Sequence, residues 1–148
     1  MKKLALTTFI ICFTLVVYSQ SDVEKKAIIK VIDAAYVQGI QNGKDVENID
    51  KGFHPGFNLL GIDNNDNLTK YPIYTWSSNV KKAVAAGQAA PVETTAEFPI
   101  IDITGTAAVA KVELYREGKQ IFTDYLSLYK FEDGWKIVSK IYYRIPQE

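Results

Sequence analysis

Asp124 and Lys140 are the residues of this sequence best placed to do chemistry. Both fall in "FTDYLSLYKFEDGWKIVSKIYY", residues 122–143, where apolar and polar side chains alternate with the period of two that marks a strand. If "EDG" is a three-residue hairpin loop with Gly134 left-handed, Phe131 faces Trp135 and the side chains sort into two faces. One face carries Phe122, Asp124, Leu126, Leu128, Val138, Lys140 and Tyr142. The other carries Tyr125, Ser127, Tyr129, Trp135, Ile137, Ile141 and Tyr143. With the first face inward, Asp124 stands on an apolar wall. A desolvated carboxylate favours its protonated form and can serve as a general acid or base, unless a cation pairs with it. Lys140, on the same face, is that cation, and a structural Asp124–Lys140 pair is the favoured reading.

His54 is the chain's one histidine. It sits in "FHPGF", and histidine titrates near neutral pH. As an acid/base it needs an orienting carboxylate, for which Asp124 is the candidate. The plainer reading, and the favoured one, has His54 bonding backbone groups in a turn while Phe53 and Phe57 pack inward. Tyr36 and Trp76 stand on helical segments and suit either a core or a stacked flat ligand. Asp63, Asn65 and Asn67 match three positions of a calcium loop. Leu68 and Tyr74 occupy the positions where Gly and Glu are needed, so a solvated turn is expected. With one histidine and one cysteine, neither a metal nor a cofactor is expected.

The elements that position these residues follow from periodicity. "SDVEKKAIIKVIDAAYVQGIQNGK" is a helix from Ser21 to Asn42. A Ser21–Glu24 capping box opens it, and Ile28, Val31, Ile32, Ala35, Tyr36 and Gly39 form one stripe. Asn42–Gly43 stops it. A short helix runs from Asp45, as N-cap, to about Lys51. "HPGFNLLGI" turns into a strand and "DNNDNLT" is a polar loop. A second long helix is capped by Thr75, buries Trp76, Val80, Ala83 and Val84, and stops at Gly87. Strands follow at about 92–104, 107–116, 120–131 and 135–145. A three-residue "REG" loop puts Ala108, Ala110, Val112 and Leu114 on the Asp124 face. A two-residue "EG" loop puts Val109 and Lys111 there.

The chain has 148 residues. Lys2 and Lys3 followed by the apolar run Leu4–Val17 read as a secretory signal, residues 1–19, cleaved near Ser19/Gln20. The run falls short of the ~20 residues of a membrane span, so no stable anchor is expected after cleavage. Cys12 leaves with the signal. Residues 20–148 suffice for one domain in a secreted or periplasmic compartment, held by its core and not by disulfides. Loss of Lys2 and Lys3 leaves 15 basic against 17 acidic residues, which argues against nucleic acid as a partner.

Helices first and an antiparallel meander last make an α+β order. On "AAYVQGIQNGK", "FHPGFNLLG", "AAVAKVE" and "FTDYLSLYKFEDGWKIVSKIY" the chain resembles the nuclear-transport-factor-two-like superfamily, and within it the group called putative lumazine-binding. The resemblance spans nearly the whole chain after the signal. It implies a cone-shaped, cystatin-like roll: N-terminal helices packed on a curved antiparallel sheet that wraps a pocket. Tyr36, His54, Phe57 and Trp76 are expected at that pocket with Asp124, Lys140 and Tyr142, and a small apolar or heteroaromatic ligand is its expected occupant. The superfamily holds binders and enzymes, so fold does not decide between them. A small-molecule binder is the first reading. An isomerase, dehydratase or cyclase using Asp124, with His54 or Tyr142 as partner, is the second. An interaction module or homodimer through the aromatic outer face is the third.

Overall fold

The computed structural model describes residues 22–88, 90 and 92–146. Ser21, half of the expected capping box, lies outside them. Helix α1 covers 22–41: α-helical over 22–31, then wound as a π-helix over Ile32–Gln41. The wider winding turns Val37 and Ile40 toward the core beside the expected Ile28, Ile32, Ala35, Tyr36 and Gly39. Gly43, at φ +65°, ends it. There the Asn42 side chain donates to Thr94 O (3.0 Å) and accepts from Thr94 N (2.7 Å), tying the helix end to the sheet. Glu24 is drawn into another contact: its carboxylate accepts from Lys130 Nζ at 2.6 Å and Trp135 Nε1 at 2.7 Å.

Helix α2 is Glu47–Gly52. Asp45 does not cap it with its side chain. It takes a left-handed backbone, φ 46°, and its carbonyl accepts from Asn48 N. Strand β1 is Phe53–Ile62 and β2 is Leu68–Pro72. Helix α3, Ile73–Ala85, starts after Pro72, two residues before the expected Thr75 cap. Ile73 and Ser77 form its most buried line, with Trp76 and Val80 packed half-buried against the core. Strands β3 (Thr94–Thr104), β4 (Ala107–Arg116), β5 (Lys119–Phe131) and β6 (Gly134–Arg144) form the meander, close to the expected bounds.

The sheet order is β2-β1-β6-β5-β4-β3. Helices pack on a curved, unclosed six-stranded sheet, the architecture expected. One pairing departs from the antiparallel expectation: β1 runs parallel to β6, so the sheet is mixed. The expected polar loop after β1 is the exposed turn of a hairpin, and its last residues, Leu68 and Thr69, begin β2. Asp63 Oδ1 accepts the amides of Asn65 and Asn67, each at 2.9 Å, and β2 returns along β1.

The faces of the meander depend on paired departures from regular register. The β5–β6 turn is the two-residue Glu132–Asp133, since Phe131 pairs with Gly134 and Lys130 with Trp135. That turn puts Trp135 and Ile137 inward, where both are buried, and not on the outer face. Ser127 then pairs with Ser139 and Leu128 with Ile137, so Val138 is an extra, bulged residue. The bulge restores the expected pairings Leu126–Lys140 and Asp124–Tyr142. The β4–β5 hairpin repeats the pattern. Its turn is the two-residue Glu117–Gly118, with φ +50° and +75°. A bulge between the Leu114 and Tyr115 pairings keeps Ala108, Ala110, Val112 and Leu114 inward. A third bulge, in edge strand β3, takes up Phe98–Pro99, where a missing N–H costs no ladder bond. Bulges bend the strands that carry them, which suits a sheet wrapped around helices.

Candidate functional site

Asp124 on β5 and Lys140 on β6 meet Tyr36 of α1 in the core. Asp124 is fully buried and Lys140 is 4% exposed. Lys140 Nζ lies 2.8 Å from Asp124 Oδ1. That contact lacks hydrogen-bond geometry, so Oδ1 is held by charge alone among the described residues. Oδ2 accepts from the Tyr36 hydroxyl at 2.5 Å. The same hydroxyl accepts from Lys140 Nζ and, at 3.1 Å, from Gln41 Nε2. The Lys140 ammonium sits among rings, 4.5 Å from the centroid of Tyr36, 5.2 Å from Tyr142, 5.8 Å from Trp76 and 5.9 Å from Phe122. Burial pushes the lysine below its ordinary pKa, while Asp124 pulls it the other way. Burial, then the Asp124 charge, push the Tyr36 phenol well above its ordinary value, so it stays protonated.

Above this cluster lies a depression of about 310 Å³, lined by Ile40, Gln41, Leu59, Trp76, Arg116, Phe122, Lys140, Tyr142 and Arg144. Its volume is at the lower end of small-molecule sites, roughly 300–1,000 Å³. Arg116 Nε donates to Thr94 Oγ1 at 2.9 Å, and the Arg144 guanidinium lies 5.2 Å from the Phe122 ring centroid. No carboxylate among the described residues pairs with either arginine. A larger cleft, about 630 Å³, runs between α3 and the α2–β1 junction. Its Asp50 and Lys81 pair with each other at 2.6 Å, and none of the residues expected at the pocket lines it. Size and chemistry therefore point to different places, and the chemistry is at the smaller one.

The structure gathers Tyr36, Trp76, Asp124, Lys140 and Tyr142. Phe57 lies deeper, wholly buried against Phe53 and Trp76. His54 stands apart. Its Nδ1 accepts from Gly56 N at 3.0 Å, and its ring stacks on Phe131 with centroids 4.9 Å apart. Phe131 is seven residues along β5 from Asp124, about 23 Å at the rise of a strand. The expectation that Asp124 could orient His54 is therefore corrected: Asp124 is engaged by Tyr36 and Lys140, and His54 serves its turn. Sequence reasoning missed Gln41, Arg116 and Arg144. Arg144 was within reach, two residues beyond Tyr142 on the same face. Arg116 was hidden by the two-residue turn beside it.

A helical layer on an open, curved sheet with a depression at one end defines the nuclear-transport-factor-two-like class. Solved structures agree. An NTF2-like protein of unknown function from Shewanella baltica matches with a TM-score of 0.65 and 27% identity, over 84% of this chain and 95% of that one. One from Silicibacter pomeroyi matches at 0.64 and 20% identity, over 86% and 98%. A domain of unknown function with a cystatin-like fold from Nostoc punctiforme matches at 0.54 and 14%, over 82% and 79%. No curated protein matches the sequence. The family model described as "Putative lumazine-binding" matches residues 23–143, and the chain belongs to that family.

Proposed function

We propose that this is an exported binding protein whose depression takes a small, flat, heteroaromatic ligand. The observation that carries the reading is the wall of Trp76, Phe122 and Tyr142 around a depression rimmed by Gln41, Arg116 and Arg144. Aromatic walls stack a flat ring, and the rim supplies donors to its carbonyl or carboxylate oxygens. The family's description supports the same ligand class. The test is titration with lumazine, read by tryptophan fluorescence and by melting temperature. Saturable quenching that is lost in Trp76→Leu supports the reading. No response, together with no small molecule in native mass spectra of the purified protein, refutes it. Export is tested by N-terminal sequencing of secreted material, with a start near Gln20 expected.

A second reading concerns the outer sheet face. Val109, Tyr125, Tyr129, Ile141 and Tyr143 are each about half exposed or more there. A patch of this kind is commonly covered by a partner, and a second copy of the chain is the simplest one.

A further inference from the structure

We propose that Lys140 captures carbonyl compounds: the depression takes a flat aromatic aldehyde or ketone that carries a carboxylate and holds it as a Schiff base on Nζ. This assignment presupposes that the depression is a ligand site, and adds to it a covalent step and a narrower ligand class.

Three observations converge on it. Lys140 is the one lysine lining the depression, and its amine is ringed by Tyr36, Tyr142, Trp76 and Phe122 instead of water. Only a free amine attacks a carbonyl, and an ordinary lysine at pH 7 is unprotonated about once in 2,500 molecules. Desolvation among apolar rings raises that fraction, the route by which Schiff-base lysines are activated. Second, the Tyr36 hydroxyl is hydrogen-bonded to both Nζ and Asp124 Oδ2, so a proton leaving the amine has a path to a carboxylate. Third, Arg116 and Arg144 face the same depression without a carboxylate partner among the described residues. A planar guanidinium matches a carboxylate. A ligand with both groups can place its carboxylate at the rim and its carbonyl at the base.

The chemistry balances without an oxidant or reductant. Nζ adds its lone pair to the carbonyl carbon. The carbon–nitrogen bond forms, the C=O π pair moves to oxygen, and oxygen gains one proton as nitrogen loses one. The carbinolamine then expels that oxygen as water with the second amine proton, leaving the C=N bond. Amine and carbonyl give imine and one water.

The probes are 4-carboxybenzaldehyde and its neutral counterpart, methyl 4-formylbenzoate. Each is incubated with the purified protein at pH 7 and sodium cyanoborohydride, which reduces an imine to a stable amine. Peptide mass spectrometry then times labelling at each lysine. Lys140 is expected to label at least about tenfold faster than exposed Lys26, Lys82 and Lys119. Tyr36→Phe should slow Lys140 alone. Arg144→Gln and Arg116→Gln should slow the carboxylate probe more than the ester. If Lys140 is among the slowest lysines, Asp124 holds it as an inert ammonium and capture is refuted. Equal rates for the two probes refute the carboxylate assignment. Lumazine titration separates the two proposals: a normal fluorescence response with an unreactive Lys140 overturns capture and leaves binding in place.

Discussion

At the scale of single residues, the Asp124–Tyr36–Lys140 cluster decides how the protein responds to substitution and to pH. Asp124→Asn removes the anion and leaves a buried cation with only hydroxyl and ring partners. Removing one member of a buried pair costs about 3–5 kcal/mol, so denaturant melts of Asp124→Asn should show a loss of that order. The loss should shrink when Lys140→Met is added, because the uncompensated charge is then gone. Tyr36 makes a separate prediction. Its phenol is held above its ordinary value of 10.0, chiefly by burial, so the folded state keeps the proton more tightly than the unfolded chain. Its contribution is full below pH 10 and is lost as pH rises from there toward the raised folded value. Lys140 acts in the opposite sense: its pKa is lowered, so its contribution grows as pH rises from the depressed value toward 10.5. Tyr36→Phe isolates the first effect. The stability gap between wild type and Tyr36→Phe, measured by urea melts, should be flat to about pH 10 and narrow above it. A gap that widens above pH 10 contradicts a buried, protonated phenol. Asp124 and Lys140 were legible in the sequence because two charged residues interrupted an apolar face. The favoured reading of His54, a turn residue between two inward phenylalanines, was legible as well; its alternative as an acid/base beside Asp124 failed because one-dimensional order does not reveal how far apart the two lie on the same sheet.

At the scale of elements, the strand bounds were legible and the loop lengths were not. The β5–β6 turn is one residue shorter than expected, the β4–β5 turn is the shorter of the two alternatives, and each is followed by a one-residue bulge. The two departures cancel for Asp124, Lys140 and the β4 alanines, so those faces came out right. Between turn and bulge they do not cancel, which is why Trp135 and Ile137 were assigned to the wrong side. A bulge has no composition of its own, since Val138 suits a regular strand equally well. Strand β2 was invisible for a related reason: "LTKYP" is short, largely exposed and an edge, and so lacks an apolar face to betray it. Helix packing makes a sharper test. Gly52, at the end of α2, lies so close to α1 that an added Cβ would come 2.3 Å from Ala35 Cβ. Gly52→Ala should destabilise by about 1–3 kcal/mol, the usual cost of overpacking. Adding Ala35→Gly should recover part of it, whereas Ala35→Gly alone should destabilise through a helix-interior glycine. Melts of the three variants give the coupling, and strictly additive losses would mean that the helices can move apart freely.

At the scale of the whole molecule, the sheet has two faces with different partners. The inner face is filled by α1, α2 and α3 through Ile28, Ile32, Tyr36, Ile49 and Ile73. The outer face has no such cover among the described residues. Tyr125 and Tyr129 on β5, Ile141 and Tyr143 on β6 and Val109 on β4 stand on three adjacent strands, so their exposed surfaces adjoin. Cross-strand neighbours on one face lie about 4.5–5.5 Å apart, and Tyr125 pairs directly with Ile141. A single exposed aromatic needs no explanation, but a patch continuous across three strands exposes apolar area that water disfavours. Association of two copies through this face removes that area without disturbing the depression, because Lys140 and Tyr142 point to the other side. Sedimentation velocity of the purified protein should therefore show a dimer at micromolar concentration. Ile141→Asp, alone or with Tyr129→Glu, should shift it to monomer. An exposed site tolerates a charge at little cost, so the variants should keep their melting behaviour at low concentration and their lumazine response. A wild type that sediments as a monomer up to about 100 μM, far above the range of a stable standard-sized interface, would sink the homodimer and leave the outer face for a different partner. A dimer that survives both charges would place the interface elsewhere, with the edges β2 and β3 as the next surfaces to probe.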